Sequence, residues 1–470
     1  MRRSMTRDLT EGKPLKLILS FAAPLLFGVL FQQLYSFVDT AIVGRYLGAE
    51  KLAAVGATGS VNFLVIGLCL GFCSGFAIPI AQAFGAKNEH EVRRSVWHAA
   101  VLSAVLSLVF GLAATLLCKP LLRLMNTPEE ILDSSAAYIR IIFAAIPCCV
   151  LYNMAGGILR SLGDSRTPVL FLVLASLVNI ALDLFLIIAC GMGVAGAAVA
   201  TAVSQLIAGI GCLIVMMRRF PILKLTAEDR RFSLKRARSM LGVGLPMGLQ
   251  FSITAIGSVM IQWSVNGLGV NAVAAVSAAS KLSMFFACVF DALASTMATF
   301  AGQNIGARKL ERVSQGLRAA SVVGMIYCGA ALGIVLLFGG RMLGLFIDSG
   351  ENAAVTEMAL LYLKLNASMY VPLLFVNILR LCIQGMGFTR VAMFAGLAEM
   401  IARTVVAVWV VPAAGFTGAC FANPAAWVMA DLFLFPCYFQ LIRNVEGRLM
   451  PNLRETKEKR GAIIRLRKTA

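Results

Sequence analysis

Side chains able to hold a positive charge are scarce within the long apolar runs of this sequence, and in its first half they recur at helical spacing. Gln32, Tyr35 or Ser36, and Asp39 fall on one helix face, and Ser176, Asn179 and Asp183 share another at i, i+3, i+7. Thr201, Ser204 and Gln205 form a third such stripe. An ionisable group inside a bilayer is costly and faces a cavity or a partner, so Asp39 and Asp183 need an explanation. With a rise of about 1.5 Å per residue, Asp39 lies about 8 Å from the outer end of its span, Asp183 about 10 Å and Thr201 about 12 Å. Three helices therefore offer Asp39, Asn179, Asp183 and Thr201 at one level. Such oxygen ligands suit a hard cation such as Na⁺, while two neighbouring carboxylates also favour retention of a proton. Hydrogen bonding from helix to helix is the plainer use of the same groups.

The second half is different. It carries Lys281 and Asp291, then Arg380 and Gln384, then Glu399 and Arg403, and Asp431. Glu399 and Arg403 are i, i+4 neighbours placed to pair. A structural ion pair and a role in a substrate path or gate are both open for Arg380, Glu399 and Arg403, as a path or gating role is for Asp291, Gln32, Tyr35 and Ser36. Gly191 to Gly196 fits G-x-G-x-x-G but follows no strand, which excludes a dinucleotide reading. Gly67, Gly71 and Gly75 at four-residue spacing make a face for close helix packing. No H-E-x-x-H, G-x-S-x-G or P-loop pattern occurs, so neither an ATP-driven pump nor a membrane hydrolase is indicated, and no enzyme activity is expected. The 12 cysteines lie almost all in apolar runs without a C-x-x-C pair, as small buried thiols do.

These residues must be carried by membrane-spanning helices. Of 470 residues, 59% are hydrophobic and 14% charged, with a mean hydropathy of +0.84. Soluble domains average about 25% charged residues, so a water-soluble globule is excluded. Apolar windows predict spans over 15–43, 52–80, 95–118, 132–158, 167–189 and 193–217, and again over 240–265, 272–300, 317–340, 355–385, 391–411 and 416–441. The net charge of +19 collects in alternate loops and at both termini, while the opposite loops hold only Arg45, Lys51, Lys119, Arg123 and Arg341. The positive-inside rule then predicts an inner-membrane protein with both termini cytoplasmic, and accounts for the charge without nucleic acid.

The stretch from Arg218 to Arg238 divides two blocks that resemble each other. Leu47-Gly48 recurs 221 residues later as Leu268-Gly269, and Gln82 with Gly85-Ala86-Lys87 recurs at the same offset as Gln303 with Gly306-Ala307-Arg308. Gly193 to Gly196 matches Gly415 to Gly418. Six spans per block give the copies the same orientation, related by an axis along the membrane normal. The expected architecture is all-α: 12 transmembrane helices in two parallel six-helix repeats around a central cleft. Its parts are a cytoplasmic segment 1–14, an N-lobe 15–217, a linker 218–238, a C-lobe 239–442 and a basic cytoplasmic tail 443–470.

Pro24-Leu25-Leu26, Phe31-Gln32-Gln33-Leu34-Tyr35, Val38-Asp39-Thr40, Val43-Gly44-Arg45, Leu52 to Gly56, Asn179 to Asp183, and the two Gln82 and Gln303 segments together resemble the multidrug and toxic compound extrusion (MATE) family. The resemblance covers about residues 10–445. It implies an antiporter, with no cofactor, exporting small organic and often cationic compounds against Na⁺ or H⁺, surrounded by lipid and functional as a monomer. Its cation or proton site would map onto Asp39, Asn179, Asp183 and Thr201. Thr254 stands where one branch of the family has a glutamate, which is more like the DinF-like branch, and Ser36 stands where many relatives have asparagine. A flippase for a lipid-linked or other anionic precursor, from the same superfamily, is the alternative; Lys281, Arg380 and Arg403 speak for it, twelve spans and the acidic N-lobe against it.

Overall fold

In the computed structural model, which describes residues 7–125, 127–344 and 353–449, the chain is helical throughout, with no strand among the described residues. In a bilayer every backbone N–H and C=O must be satisfied within the segment, and uninterrupted apolar runs do so as helices. The first block forms α1 (Pro14–Ala57, turned at Gly48), α2 (Gly59–Gly85), α3 (Glu89–Leu124), α4 (Glu129–Ala144), α5 (Ile146–Ser161), α6 (Arg166–Leu184) and α7 (Gly193–Arg219). The second forms α8 (Leu234–Asn266), α9 (Val270–Gly306), α10 (Leu310–Leu343), α11 (Ala353–Ser368), α12 (Tyr370–Gly385), α13 (Thr389–Val405), α14 (Val411–Cys420) and α15 (Ala422–Leu449). Among the described residues, ten stretches are long and apolar enough to cross a bilayer. The pairs α4–α5 and α11–α12, bent by 44° and 52°, bring the number to twelve when each pair is one span. Each bend comes just before a proline, Pro147 or Pro372, whose missing N–H cannot continue the ladder.

The repeat read from residue types recurs in the backbone. Gly48 and Gly269 have φ of 84° and 94°, Lys87 and Arg308 have 56° and 58°, Gly163 and Gly387 have 88° and 96°, and Gly193 and Gly415 have 60° and 61°. A π-turn follows α6 at Phe185–Ala189 and another follows α13 at Val406–Val410. Matching left-handed residues and matching π-turns mean that both blocks fold along one plan.

Two large apolar cores result, and they do not divide at the linker. Leu17, Ile18, Phe21, Ala22 and Leu25 of α1 belong to the core of the second block, whereas Ile42 and Val43 at its other end pack with Ile187 and Ala197 of the first. In return, Ala237 and Met240 of α8 enter the first core and Val265 the second. Each leading helix therefore straddles both lobes.

The lobes meet along a seam of glycines. A Cβ on Gly71 would stand 2.5 Å from the Gly248 Cα, and one on Gly75 2.5 Å from the Gly244 Cα. At the end of the bundle with the basic loops the approach is reciprocal. A Cβ on Gly85 would fall 1.9 Å from the Gln303 carbonyl oxygen, and one on Gly306 1.9 Å from that of Gln82. The Gln82 amide donates to the Gly385 carbonyl at 3.1 Å, and the Gln303 amide to that of Ser161 at 2.8 Å. Over this closed end lies the segment before α1. Leu9 and Thr10 are buried; the Arg7 N–H donates to the Leu162 carbonyl at 3.2 Å, and the Leu9 N–H to the Gln303 side chain at 2.9 Å. Residues 7–13 are thus a strap across both lobes. Residues 1–6 of the expected cytoplasmic segment and 450–470 of the basic tail lie outside the described residues.

Overpacking a close contact costs about 1–3 kcal/mol. Gly306→Ala, and separately Gly85→Ala, are expected to lower the melting temperature of the purified protein. Gly329→Ala, which meets nothing within 4 Å, should leave it unchanged. Equal melting of Gly306→Ala and Gly329→Ala would refute the seam.

Candidate functional site

Away from the closed end, α1, α6 and α7 bring together the four residues that the sequence places at one depth. Asp39 lies nine residues before the turn at Gly48, and Asn179 and Asp183 face inward on α6, both fully buried. The carboxyl groups of Asp39 and Asp183 are in hydrogen-bonding contact. Asn179 binds the pair to α7: its amide nitrogen donates to Asp183 Oδ2 at 2.9 Å and its oxygen accepts from the Thr201 N–H at 3.1 Å. The Tyr35 hydroxyl meets the Thr201 side chain, and Ser176, one turn from Asn179, turns back onto the Leu172 carbonyl at 2.9 Å.

Two carboxyl groups in contact repel each other unless a proton or a cation lies between them, because Coulomb energy at such range is several kcal/mol even at intermediate dielectric. Oδ1 of Asp39 and Oδ1 of Asp183 are buried and have no partner among the described residues. These two orphaned oxygens, with the Asn179 and Thr201 oxygens beside them, fit a hard monovalent cation, and the carboxyl contact fits a shared proton equally well. No group of three or more His, Cys, Asp or Glu side chains able to hold a metal ion occurs among the described residues.

One contributor escaped the sequence reading. Tyr138 of α4 lies within electrostatic reach of Asp39, Tyr35 and Asp183 and packs on the Ile42, Val43, Ile187 and Ala197 cluster. Depth was the available signal. Tyr138 is six residues from the start of the span predicted over 132–158, about 9 Å from the same outer face as Asp39.

The other candidates are dispersed. Gln32 and Ser36 are exposed on α1 and Tyr35 is half-buried. Asp291 is exposed on α9, with no ion pair or hydrogen bond among the described residues. Arg380, Glu399 and Arg403 are buried inside the second lobe as one cluster. Glu399 pairs with Arg380 of α12, and its other oxygen lies 3.3 Å from Arg403 Nη1. Arg403 Nε donates to Asn423 at 3.3 Å, and Asn423 donates to the Tyr362 hydroxyl at 3.0 Å. Asp431 faces Arg380 from α15. By the repeat, Arg403 and Asn423 occupy the places of Asn179 and Thr201. One scaffold position thus holds the amide beside an acidic pair in one lobe and a guanidinium in the other.

Comparison with known proteins places this geometry. A family model described as MatE matches residues 24–185 and 246–409, one match in each block. The chain is 30% identical over 349 residues to the probable multidrug resistance protein YoeA of Bacillus subtilis (strain 168), covering 73% of this chain and 75% of that one. It is 29% identical over 372 residues to the probable multidrug resistance protein YpnP of the same organism, covering 79% and 82%. Its fold matches a crystallised MATE protein in complex with MaL6 at a TM-score of 0.87, with 23% identity over 95% of this chain and 100% of the other. With the family model matched once in each of two blocks that share a backbone plan, the chain belongs to the MatE family of membrane transporters and is not an enzyme.

Proposed function

We propose that this protein is a secondary active multidrug exporter that expels small organic, often cationic, compounds in exchange for inward Na⁺ or H⁺, and that Asp39, Asn179, Asp183 and Thr201 hold the coupling ion. The contact between the two carboxyl groups carries the reading, with an unpartnered oxygen on each. The names of the relatives support the export of drugs. The excess of Lys and Arg at the sealed end supports a plasma-membrane orientation with that end, and both termini, cytoplasmic.

In that orientation the seam closes the cytoplasmic side, and the N-lobe chamber is served from outside. An external cation or proton neutralises the Asp39–Asp183 pair and removes its attraction for a cationic substrate, which leaves outward. Neutralisation also removes the repulsion between α1 and α6, so the outer half of α1 can settle onto the N-lobe. Pro24 lies inside α1, and the hydrogen bond it lacks makes the bend there less costly. A Cβ on Gly28, one turn further, would stand 2.9 Å from Val169 of α6, so the bend acts directly on α6. Tyr138 and Tyr35 lie within electrostatic reach of both carboxyl groups. Glu399 pairs with both Arg380 and Arg403 inside the C-lobe and Asp431 faces Arg380, which supports a structural role; lipids surround the bundle, and a single chain suffices because both lobes belong to it.

Asp39→Asn and Asp183→Asn are each expected to abolish efflux of a cationic dye while the protein still reaches the membrane. Wild-type resistance in cells carrying Asp39→Asn would sink the mechanism. In proteoliposomes with Na⁺ and pH gradients imposed separately, at least one gradient should drive dye export; failure of both removes the coupling. Tyr138→Phe should reduce coupled transport several-fold without unfolding the protein. Glu399→Gln leaves two guanidinium groups without their shared carboxylate, and loss of one partner of a buried ion pair costs about 3–5 kcal/mol. Its expected signature is a lower melting temperature, whereas unchanged melting with altered ion dependence would assign Glu399 to transport.

A further inference from the structure

The two blocks start their matching helices α6 and α13 differently, and the difference leaves a cavity. In the first block, Gly163 is followed by Asp164, whose carboxylate accepts from the N–H groups of Arg166 and Thr167, both at 3.0 Å, and from the Thr167 hydroxyl at 2.5 Å. A built-in anion thus answers the free amides and the positive end of α6. In the second block, Gly387 takes the place of Gly163, and Phe388 that of Asp164. Phe388 offers no oxygen from its side chain, and the N–H groups of Thr389, Arg390 and Val391 have no acceptor among the described residues.

Where the carboxylate is missing there is a cavity of about 620 Å³, lined by Lys235, Arg238, Gly242, Phe388, Thr389 and Arg390 among others. Lys235, Arg238 and Arg390 are exposed, and none forms an ion pair with a described residue. Thr389 is only 2% exposed, lines the cavity, and its hydroxyl has no hydrogen-bond partner among the described residues. Three unpaired cations, a buried free hydroxyl and unanswered helix amides call for an anion with several oxygens.

The surroundings say which anion. From Arg238 and Gly242 the stripe on α8 continues through Leu245, Leu249 and Ile256, exposed by 46%, 41% and 48%. From Arg390 the stripe on α13 continues through Phe394 and Ile401, each exposed by 51%. A phosphate held at the cations would therefore extend its substituent along two apolar helix faces toward the membrane interior. A free phosphate uses none of that surface; an acyl chain covers it.

We infer that the groove between α8 and α13 binds an anionic phospholipid of the leaflet at the basic end, its phosphate replacing the carboxylate that Asp164 supplies in the other lobe. This site is separate from the coupling residues and does not depend on the transport reading. The test uses purified full-length protein, delipidated and titrated with phosphatidylglycerol, phosphatidylcholine or inorganic phosphate, with bound lipid read by native mass spectrometry and stability by thermal melting. Phosphatidylglycerol should be retained at least ten times more strongly than phosphatidylcholine and should raise the melting temperature, with inorganic phosphate unable to replace it. The combined Lys235→Gln, Arg238→Gln and Arg390→Gln variant should lose that preference, and so should Phe388→Asp, which restores an internal carboxylate. Equal retention of both lipids, an unchanged preference in the combined variant, or full displacement by inorganic phosphate would each overturn the lipid site. Should a variant fail to assemble, the comparison of the two lipids on the unaltered chain decides the matter.

Discussion

Everything that moves in this protein is constrained by one contact made twice. At the basic end, the close of α2 presents Gly85 to the Gln303 carbonyl, and the close of α9 presents Gly306 to that of Gln82. The two contacts are related by the internal repeat, so neither lobe can leave the seam without breaking both. Without a hydrophobic drive between helices in lipid, such association depends on backbone approach and on hydrogen bonds. The seam uses both, since the Gln82 and Gln303 amides each donate to a carbonyl of the opposite lobe. Glycine makes the contact close.

The repeat gives two lobes of one shape, and substitutions within it give them different electrostatics. Asn179 and Thr201 support a carboxyl pair, whereas Arg403 and Asn423 at the matching places belong to a cluster in which Glu399 answers two guanidinium groups. The first arrangement sets two carboxyl groups side by side with no cationic side chain paired to them among the described residues, whereas in the second Glu399 lies between two guanidinium groups and Asp431 faces one of them. The same divergence appears at the helix starts, where Asp164 and Phe388 part company.

Much of this was legible in the sequence because it follows from period and cost. Twelve spans, the duplication and the convergence of Asp39, Asn179, Asp183 and Thr201 come from apolar length, an offset of 221 residues and depth. The glycines at 67, 71 and 75 announced close packing, but nothing in one sequence named their partners. Only the fold sets Gly71 on Gly248 and Gly75 on Gly244. Tyr138 is hidden in the sequence because an aromatic in an apolar helix looks like packing until the fold brings it within electrostatic reach of two carboxyl groups. The strap at Leu9 and Thr10 is not legible in a segment whose neighbours are polar and basic. Its burial comes from hydrogen bonds to Gln303 and Leu162, distant in the chain. Arg380, Glu399 and Asp431 lie on three helices, and their meeting is a property of tertiary packing that i, i+4 spacing cannot report.

The path by which a charge in one lobe reaches the other follows from where α1 is anchored. Its basic half is locked into the second core through Ile18, Phe21 and Leu25, and its far half packs in the first through Ile42 and Val43. Asp39 lies in the far half, one turn from Ile42 and Val43. A change in the force between Asp39 and Asp183 therefore acts on a lever whose other arm is held by the opposite lobe. Pro24 sits between the two anchors, where the helix lacks a hydrogen bond and bends at least cost. Bending there shifts Gly28 against Val169 of α6, the helix that carries Asp183. Local neutralisation and relative motion of the lobes are thus joined through one continuous element, and no chain of intermediate side chains is required to connect them.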